Sequence, residues 1–314
     1  MRFGKLIVCS TFALALHGCA ASHGEGATSV STETPPAATP TPEDVGPYPI
    51  VLMHGMAGWT SIAGYEYFNG IPDALRGDGW TVYTTSVDPF QSVEVRAAQA
   101  ATRIDQILAE TGAQKVILIG HSQGGLDARY IVSSLGYGDR VKSVTTLATP
   151  HHGSKISEIS LGLFPGDSAA ATAALASALL GTVTGTSADI GTQIHELTST
   201  YCEQTFNPAN PDDARVEYFS ASGISQPWIT VDPTVTDIVN PLLLASWWIV
   251  DAIEGDNDGL VAVNSAKWGT FLGTVPADHG DEVGQPPLTL HPAFDQVSYF
   301  RALAAFLEGA GPAP

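Results

Sequence analysis

The chain has 314 residues, of which 44% are hydrophobic and 14% charged, so it can build a sizeable core and is not an intrinsically disordered chain. Its formal net charge of −19 repels phosphate backbones, which argues against a nucleic-acid partner. Cysteine occurs only as Cys9, Cys19 and Cys202, without a C-x-x-C pair, which excludes a disulfide framework and a typical zinc site.

The N-terminus has the pattern of an export signal. Arg2 and Lys5 flank the start of an apolar run, residues 6–16, which is too short to cross a membrane but suits a signal peptide over residues 1–19. Residues 16–20 resemble a lipobox, which predicts lipidation of Cys19 and a tether to a membrane face; ordinary cleavage nearby is the alternative. On either interpretation we expect the protein to be exported, and to be either secreted or lipid-anchored to the cell envelope.

Residues 20–46 are rich in Pro, Thr and Ala and predict a disordered linker, after which the folded domain is expected over residues 47–314. Continuous apolar runs alternate there with helical spacing, which predicts an α/β fold with a mostly parallel central sheet and helices on both faces. The predicted strands cover residues 49–53, 80–84, 115–119, 141–148 and 217–220, and the predicted helices cover 95–110, 126–135 and 294–307. Residues 156–190 show no strand pattern and predict either inserted mobile helices or an ordinary core helix.

A G-x-S-x-G motif, Gly120-His121-Ser122-Gln123-Gly124, lies between a predicted buried strand and a predicted helix, the context that a nucleophile elbow requires. The serine of an elbow occupies a sharp strand-to-helix turn, the glycines allow close packing, and the helix N-terminus favours a developing negative charge. Ser122 is therefore the candidate nucleophile of an ester hydrolase. The amides of Gln123 and of Met56, which follows His54-Gly55 at the end of the first strand, are the candidate oxyanion donors.

A serine nucleophile needs a base and an orienting carboxylate, and in this fold the expected chain order is serine, acid, histidine. Spacing leaves several partners open. The histidines after the motif are His151, His152, His195, His279 and His291, and the acids include Asp251, Glu254, Asp256, Asp258 and Asp281. His279 lies in a polar loop near the C-terminus, and Asp258 is expected to follow a strand, but the pattern alone does not choose among these residues.

Several of these segments together resemble the secreted, foldase-dependent bacterial triacylglycerol lipases of the α/β-hydrolase superfamily. The resemblance rests on residues 49–58, 67–72, 78–83, 120–125, 129–130, 149–154, 257–261 and 279–283. It implies an α/β-hydrolase fold with an inserted helical lid around residues 155–200, a lipid or ester substrate at an interface, and a dedicated foldase as partner. It also implies Ser122, Asp258 and His279 as a catalytic triad, with Asp256 as the second candidate acid, and supports the two oxyanion amides named above.

The resemblance further implies a structural Ca²⁺ that steadies the histidine loop, and no organic cofactor. Oxygen ligands suit this hard cation. Asp281 matches one carboxylate ligand, and Asp232 matches the other with Asp237 as its alternative. Gln285 would offer a backbone carbonyl.

The chain departs from the family pattern at two places. Pro286-Pro287 follows Gln285 in a loop that is shorter than the family's. Asn264 stands where many relatives carry the disulfide partner of Cys202, so the resemblance implies a free thiol at Cys202.

The function predicted from the sequence is that of a triacylglycerol lipase, which hydrolyses carboxylic esters through a Ser-His-Asp triad and an acyl-enzyme intermediate. One alternative is a carboxylesterase or phospholipase that uses the same triad. The alternative from another class is a catalytically inactive surface lipoprotein on a hydrolase scaffold.

Overall fold

The computed structural model describes residues 46–62, 64–162, 189–228, 237–285, 294–309 and 311–314. The predicted signal peptide, Cys19, nearly all of the predicted linker, residues 163–188 of the predicted lid, and Asp232 lie outside these ranges. The chain divides into two units, Met1–Glu43 and Asp44–Pro314, and every element below belongs to the second. Within the described ranges, no helix is long and apolar enough to span a bilayer.

A six-stranded sheet lies at the centre of the second unit, and every neighbouring pair of strands in it is parallel. The strands in chain order are β1 (Ile50–Met53), β2 (Ser61–Ile62), β3 (Tyr65–Glu66), β4 (Val82–Thr84), β5 (Val116–His121), β6 (Val141–Leu147), β7 (Glu217–Gly223) and β8 (Thr270–Val275). The central sheet has the order β4-β1-β5-β6-β7-β8, and β2 pairs only with β3. The predicted parallel sheet is thus confirmed, and its carboxyl ends meet at one edge, where sites of such sheets are usually built.

Helices cover both faces of this sheet. They are α1 (Ile71–Gly77), α2 (Val93–Thr111), α3 (Gln123–Ser133), α4 (Lys155–Ser160), α5 (Ile190–Glu196), α6 (Leu244–Glu254) and α7 (Gln296–Leu307), with further helical turns at Ser199–Tyr201, Cys202–Phe206 and Asn207–Ala209. Ile50 and Leu52 of β1 share a core cluster with α1 and α7, whereas Val51 and Met53 share one with α2 and α3. Burial on both faces explains why β1 is a continuous apolar run in the sequence.

Several features differ from the sequence-based expectations, among them the short strands β2 and β3, which the patterns do not predict. The patterns also do not predict α1 or the edge strand β8. All residues of β8 except Val275 are half-buried or exposed, so this strand lacks a continuous apolar signal. The expectation that Asp258 follows a strand is wrong. The apolar run before it forms helix α6, which ends at Gly255 with a positive φ of 83°, and Asp258 lies in the loop that follows.

The described parts of the predicted lid region are helical where they have secondary structure, at α4 and α5. Next to it, Cys202 is a free and fully buried thiol, as the resemblance implies. Its Sγ lies 3.5 Å from the carbonyl oxygens of Pro150 and Glu196. Burial raises the pKa of the Cys202 thiol to about 12, so this side chain is an inert core group rather than a nucleophile.

Candidate active site

Ser122 occupies the sharp turn between β5 and α3, with φ 55° and ψ −131°. A positive φ is uncommon for a residue with a side chain and marks a backbone held in place by its surroundings. The amide of Ser122 donates to the carbonyl of Leu147 at 2.9 Å, and its own carbonyl accepts from Oγ1 of Thr149 at 2.7 Å. The end of β6 therefore holds the turn, and the Ser122 side chain is left partly exposed at the carboxyl edge of the sheet.

Two glycines allow the close packing around this turn. A Cβ atom on Gly124 would lie 2.2 Å from the carbonyl oxygen of Met53, so α3 can approach β1 only with glycine at this position. A Cβ atom on Gly55 would lie 2.7 Å from Cβ of Ser122 and 3.1 Å from its Oγ. The loop after β1 is thus in contact with the serine, and Met56 follows directly in that loop.

Asp258 and His279 form a direct hydrogen bond. Nδ1 of His279 lies 2.8 Å from Oδ2 of Asp258, while Oδ1 of Asp258 accepts from the amides of Leu260 at 2.8 Å and Val261 at 2.7 Å. An ionised carboxylate only accepts hydrogen bonds, so Nδ1 carries the proton and Nε2 is left as an acceptor. The second candidate acid, Asp256, is exposed, and no hydrogen bond in the described chain joins its side chain to His279.

The ring of His279 packs on the ring of His121, the residue before the serine, with centroids 4.6 Å apart. His121 is itself held on both nitrogens: Nδ1 lies 2.7 Å from the hydroxyl of Tyr67, and Nε2 lies 2.9 Å from Oε2 of Glu282. The same Tyr67 hydroxyl accepts from the amide of Gly55 at 3.2 Å. A buried hydrogen-bond chain therefore connects the loop after β1, the nucleophile elbow and the histidine loop.

Burial shifts the pKa values of both ionisable partners, His121 and Glu282, toward their neutral forms. Burial, and then the neighbouring His279, lower the pKa of His121 well below its usual value. Burial, and then the charge of Asp258, raise the pKa of Glu282 well above its usual value. The sequence reasoning did not single out either residue, although His121 lies inside the G-x-S-x-G motif and Glu282 follows Asp281 directly.

Three carboxylates, Asp237, Asp278 and Asp281, converge beside the histidine loop with ligand atoms within 4.8 Å of one another. Asp237 is fully buried, and neither of its carboxylate oxygens has a hydrogen-bond partner among the described residues. Burial, and then the charges of the other two acids, raise the pKa of Asp237 to about 8. Sequence reasoning missed Asp278, which directly precedes His279, and kept Asp237 only as an alternative to Asp232.

The other histidines after the motif have different partners or lie outside the described residues. His151 is buried, with Nδ1 3.2 Å from the guanidinium of Arg129. His152 is half-buried and pairs with the exposed Glu203, and His195 is exposed on α5. His291 lies outside the described ranges. Of the described histidines after the motif, only His279 is joined to Asp258.

Comparison with known proteins identifies the family. The family model for the alpha/beta hydrolase fold matches residues 48–204. A triacylglycerol lipase of Vibrio cholerae is 34% identical over 291 residues, which cover 84% of this chain and 88% of the relative. The chain belongs to the triacylglycerol lipase family of α/β-hydrolases. It is therefore a carboxylic ester hydrolase, as the sequence predicts.

Other members of this lipase family match shorter parts of the chain. Triacylglycerol lipase 2 of Saccharomyces cerevisiae is 31% identical over 234 residues, which cover 72% of this chain and 64% of the relative. A triacylglycerol lipase of Burkholderia plantarii is 43% identical over 115 residues, 35% of this chain and 32% of the relative.

Solved structures support the α/β-hydrolase fold of this chain. The mature form of a Bacillus licheniformis lipase superimposes with a TM-score of 0.59 at 23% identity, and covers 79% of this chain and 90% of that structure. A metagenomic carboxyl esterase gives a TM-score of 0.64 at 18% identity, and the match covers 89% of this chain and 82% of that structure.

Proposed function

We propose that the protein is a triacylglycerol lipase that hydrolyses lipid esters with Ser122 as nucleophile, His279 as general base and acid, and Asp258 as the orienting carboxylate. The observation that carries the proposal is the 2.8 Å hydrogen bond between Nδ1 of His279 and Oδ2 of Asp258. The serine occupies a strained strand-to-helix turn and directly follows His121, whose ring packs on that of His279. The chain order of the three residues is also the one that this fold uses.

The reaction is acyl transfer to water. Nε2 of His279 takes the proton of the Ser122 hydroxyl, and the serine oxygen attacks the ester carbonyl to form a tetrahedral oxyanion. The protonated His279 then donates to the leaving alcohol as the carbon–oxygen bond breaks, and an acyl-enzyme remains on Ser122. Water enters, loses its proton to His279 and releases the fatty acid by the same steps in reverse.

The amides of Met56 and Gln123 are the proposed donors to the oxyanion. Gln123 is the first residue of α3, and the first amides of a helix have no partner within the helix. Met56 follows Gly55, whose backbone is in contact with Ser122. Each such donor lowers the activation free energy by about 3 kcal/mol in enzymes of this kind.

A lipid substrate is supported by apolar side chains on two helices next to the acid loop. Ile156 and Ile159 of α4 pack against Ile249 of α6, and this pair of helices carries the exposed apolar side chains Trp248 and Ile253. Ser154, which precedes α4, donates through Oγ to the carbonyl of Leu260 at 2.9 Å in the acid loop. Exposed apolar groups so near a reaction site favour contact with a lipid surface.

A substrate panel tests this function. We expect hydrolysis of emulsified triglycerides, with a rate that rises steeply once the substrate exceeds its solubility, as the lid implied by the family resemblance predicts. The measurement is fatty-acid release from triglycerides and p-nitrophenyl esters of increasing chain length, above and below the solubility limit of each. Activity confined to dissolved short esters would identify a carboxylesterase instead, and activity confined to phospholipids a phospholipase.

We further propose that the carboxylates of Asp237, Asp278 and Asp281 hold a structural Ca²⁺ that supports the histidine loop. Buried carboxylates with unsatisfied oxygens are costly unless a cation neutralises them, and the oxygens of Asp237 meet this description. Oxygen donors are what Ca²⁺ prefers. Bound there, the ion would supply positive charge that fixes the loop next to His279; the carbonyl of Gln285 stays a predicted further ligand.

Removal of the ion should lower the melting temperature of the wild-type protein by several degrees, and Ca²⁺ but not Mg²⁺ should restore it. The difference in stability between the Asp237→Asn variant and wild type should change sign. The variant should be less stable than wild type in Ca²⁺, because a ligand is lost. It should be more stable in EDTA, because the raised pKa of Asp237 makes the wild-type carboxyl bind a proton on folding at neutral pH, and asparagine avoids that cost. Thermal unfolding in both buffers measures this, with the exposed Asp73→Asn as control. A wild-type melting temperature that is the same with and without EDTA would exclude the Ca²⁺ site.

A further inference from the structure

Helix α5 is hydrogen-bonded to the first residue of α2 and to the segment before it. At its N-terminus, the amide of Asp189 donates to the carbonyl of Phe90 at 2.8 Å. At its other end, Oε2 of Glu196 accepts from the amide of Val93 at 2.7 Å. These two contacts place the middle of α5 directly over the segment that runs beside the loop after β1.

Gln193, in the middle of α5, is fully buried and reaches both sides of the proposed oxyanion hole. Its Nε2 donates to the carbonyl of Pro89 at 3.0 Å and to Oε1 of Gln123 at 2.6 Å. The carbonyl of Pro89 also accepts from the amide of Ala57 at 2.9 Å, the residue after Met56. One side-chain amide thus connects the loop that carries one proposed donor with the residue that carries the other.

The direction of these hydrogen bonds follows from the chemistry of the acceptors. The carbonyls of Pro89 and Gln91 can only accept. Nε2 of Gln193 must therefore face Pro89, and Nε2 of Gln123 must face Gln91, at 3.3 Å. This leaves Oε1 of Gln123 as the acceptor for the second proton of Gln193. Both protons of the Gln193 amide are used, and neither residue has a second consistent orientation.

We propose that Gln193 is a positioning residue for the oxyanion hole, which sets the separation of the Met56 and Gln123 amides through Pro89 and the Gln123 side chain. The inference rests on the proposed function, because it concerns the donors that stabilise the tetrahedral oxyanion. A displaced donor weakens binding of the transition state more than binding of the substrate. Loss of Gln193 therefore lowers kcat and leaves KM nearly unchanged.

The Gln193→Glu variant tests this with almost no change in side-chain shape, since a carboxylate has no N–H donors and faces two acceptor oxygens. With p-nitrophenyl acetate we expect kcat to fall about ten- to hundredfold and KM to change less than about threefold. Inhibition constants of an arylboronic acid, which forms a tetrahedral adduct on the serine, should rise in parallel with the fall in kcat. Thr192→Glu, which adds the same charge on the exposed side of α5, should behave as wild type.

The Gln193→Met variant removes the donors without adding charge and should show the same kcat loss. Gln123→Met removes the other partner of the same contact. The kcat of the double variant Gln123→Met/Gln193→Met should lie within about twofold of the kcat of the more impaired single variant. If neither Gln193 variant folds, Gln123→Met decides alone: a lower kcat at constant KM supports the inference, and an unchanged kcat overturns it. The inference is also overturned if the fold-losses in kcat of the two single variants multiply in the double variant. It is likewise overturned if Gln193→Glu and Gln193→Met both keep kcat within about twofold of wild type.

The Ser122→Ala variant separates this inference from the proposed function. If Ser122→Ala keeps its esterase activity, the assignment of the reaction fails, and the kinetics of Gln193 variants no longer report on this oxyanion. If Ser122→Ala is inactive while Gln193→Glu is as fast as wild type, the proposed function stands and only the role of Gln193 is refuted.

Discussion

Replacing Ser122 with alanine should lower the rate of ester hydrolysis by about 10⁴-fold or more. The change removes the atom that attacks the ester carbonyl, so no acyl-enzyme can form. The variant should still fold, because the backbone contacts that hold the turn, from the Ser122 amide to Leu147 and from Thr149 to the Ser122 carbonyl, do not involve its side chain. The measurement is hydrolysis of a p-nitrophenyl ester together with labelling by a fluorophosphonate probe.

A matched control is Ser86→Ala, which removes an exposed hydroxyl and should be labelled and active like wild type. Ser122→Ala should show neither labelling nor turnover while it keeps the melting temperature of wild type to within a few degrees. Hydrolysis by Ser122→Ala at a rate near that of wild type would refute Ser122 as the nucleophile. An unlabelled, inactive wild-type protein would instead support the alternative of an inactive surface lipoprotein.

Replacing Asp258 with asparagine should lower kcat by about 10³- to 10⁴-fold with little change in KM. The carboxamide oxygen of the variant can keep the hydrogen bonds from the amides of Leu260 and Val261. Its NH₂ group then faces His279 and donates, so Nδ1 becomes the acceptor and the proton moves to Nε2. A histidine protonated on Nε2 cannot take the proton of Ser122, although the geometry of the site is preserved.

Asp256→Asn is the control for this substitution, because Asp256 is the second candidate acid and lies two residues away on the surface. We expect Asp256→Asn to keep kcat within about twofold of wild type, since surface substitutions of this kind have small effects. Steady-state kinetics of the two variants on the same dissolved ester distinguish the candidates. If Asp256→Asn were the more impaired variant, Asp256 rather than Asp258 would be the orienting carboxylate.

Local patterns were sufficient for the central fold. The continuous apolar run of β1 and the helical spacing of apolar residues in α2 predict which side chains are buried. A strand covered on both faces and an amphipathic helix each have a distinct pattern of apolar residues in the local sequence. The edge strand β8 has no such signature, and the helix before Asp258 was not distinguished from a strand. Short apolar runs are ambiguous when flanking residues do not decide between the two periods.

The sequence by itself determined the elbow around Ser122, since the spacing of two glycines about a serine, between a strand and a helix, describes a single turn of the chain. It left several histidines and acids as possible partners, and only a family resemblance narrowed them. The pairing of His279 with Asp258, the convergence of Asp237 with Asp278 and Asp281, and the reach of Gln193 to Gln123 appear only in the tertiary structure. Each of these contacts joins residues that are 21 or more positions apart, except Asp278 and Asp281, which lie in the same loop. Contacts between distant residues depend on how the parallel strands and their loops are arranged in space, and no local periodicity encodes that arrangement.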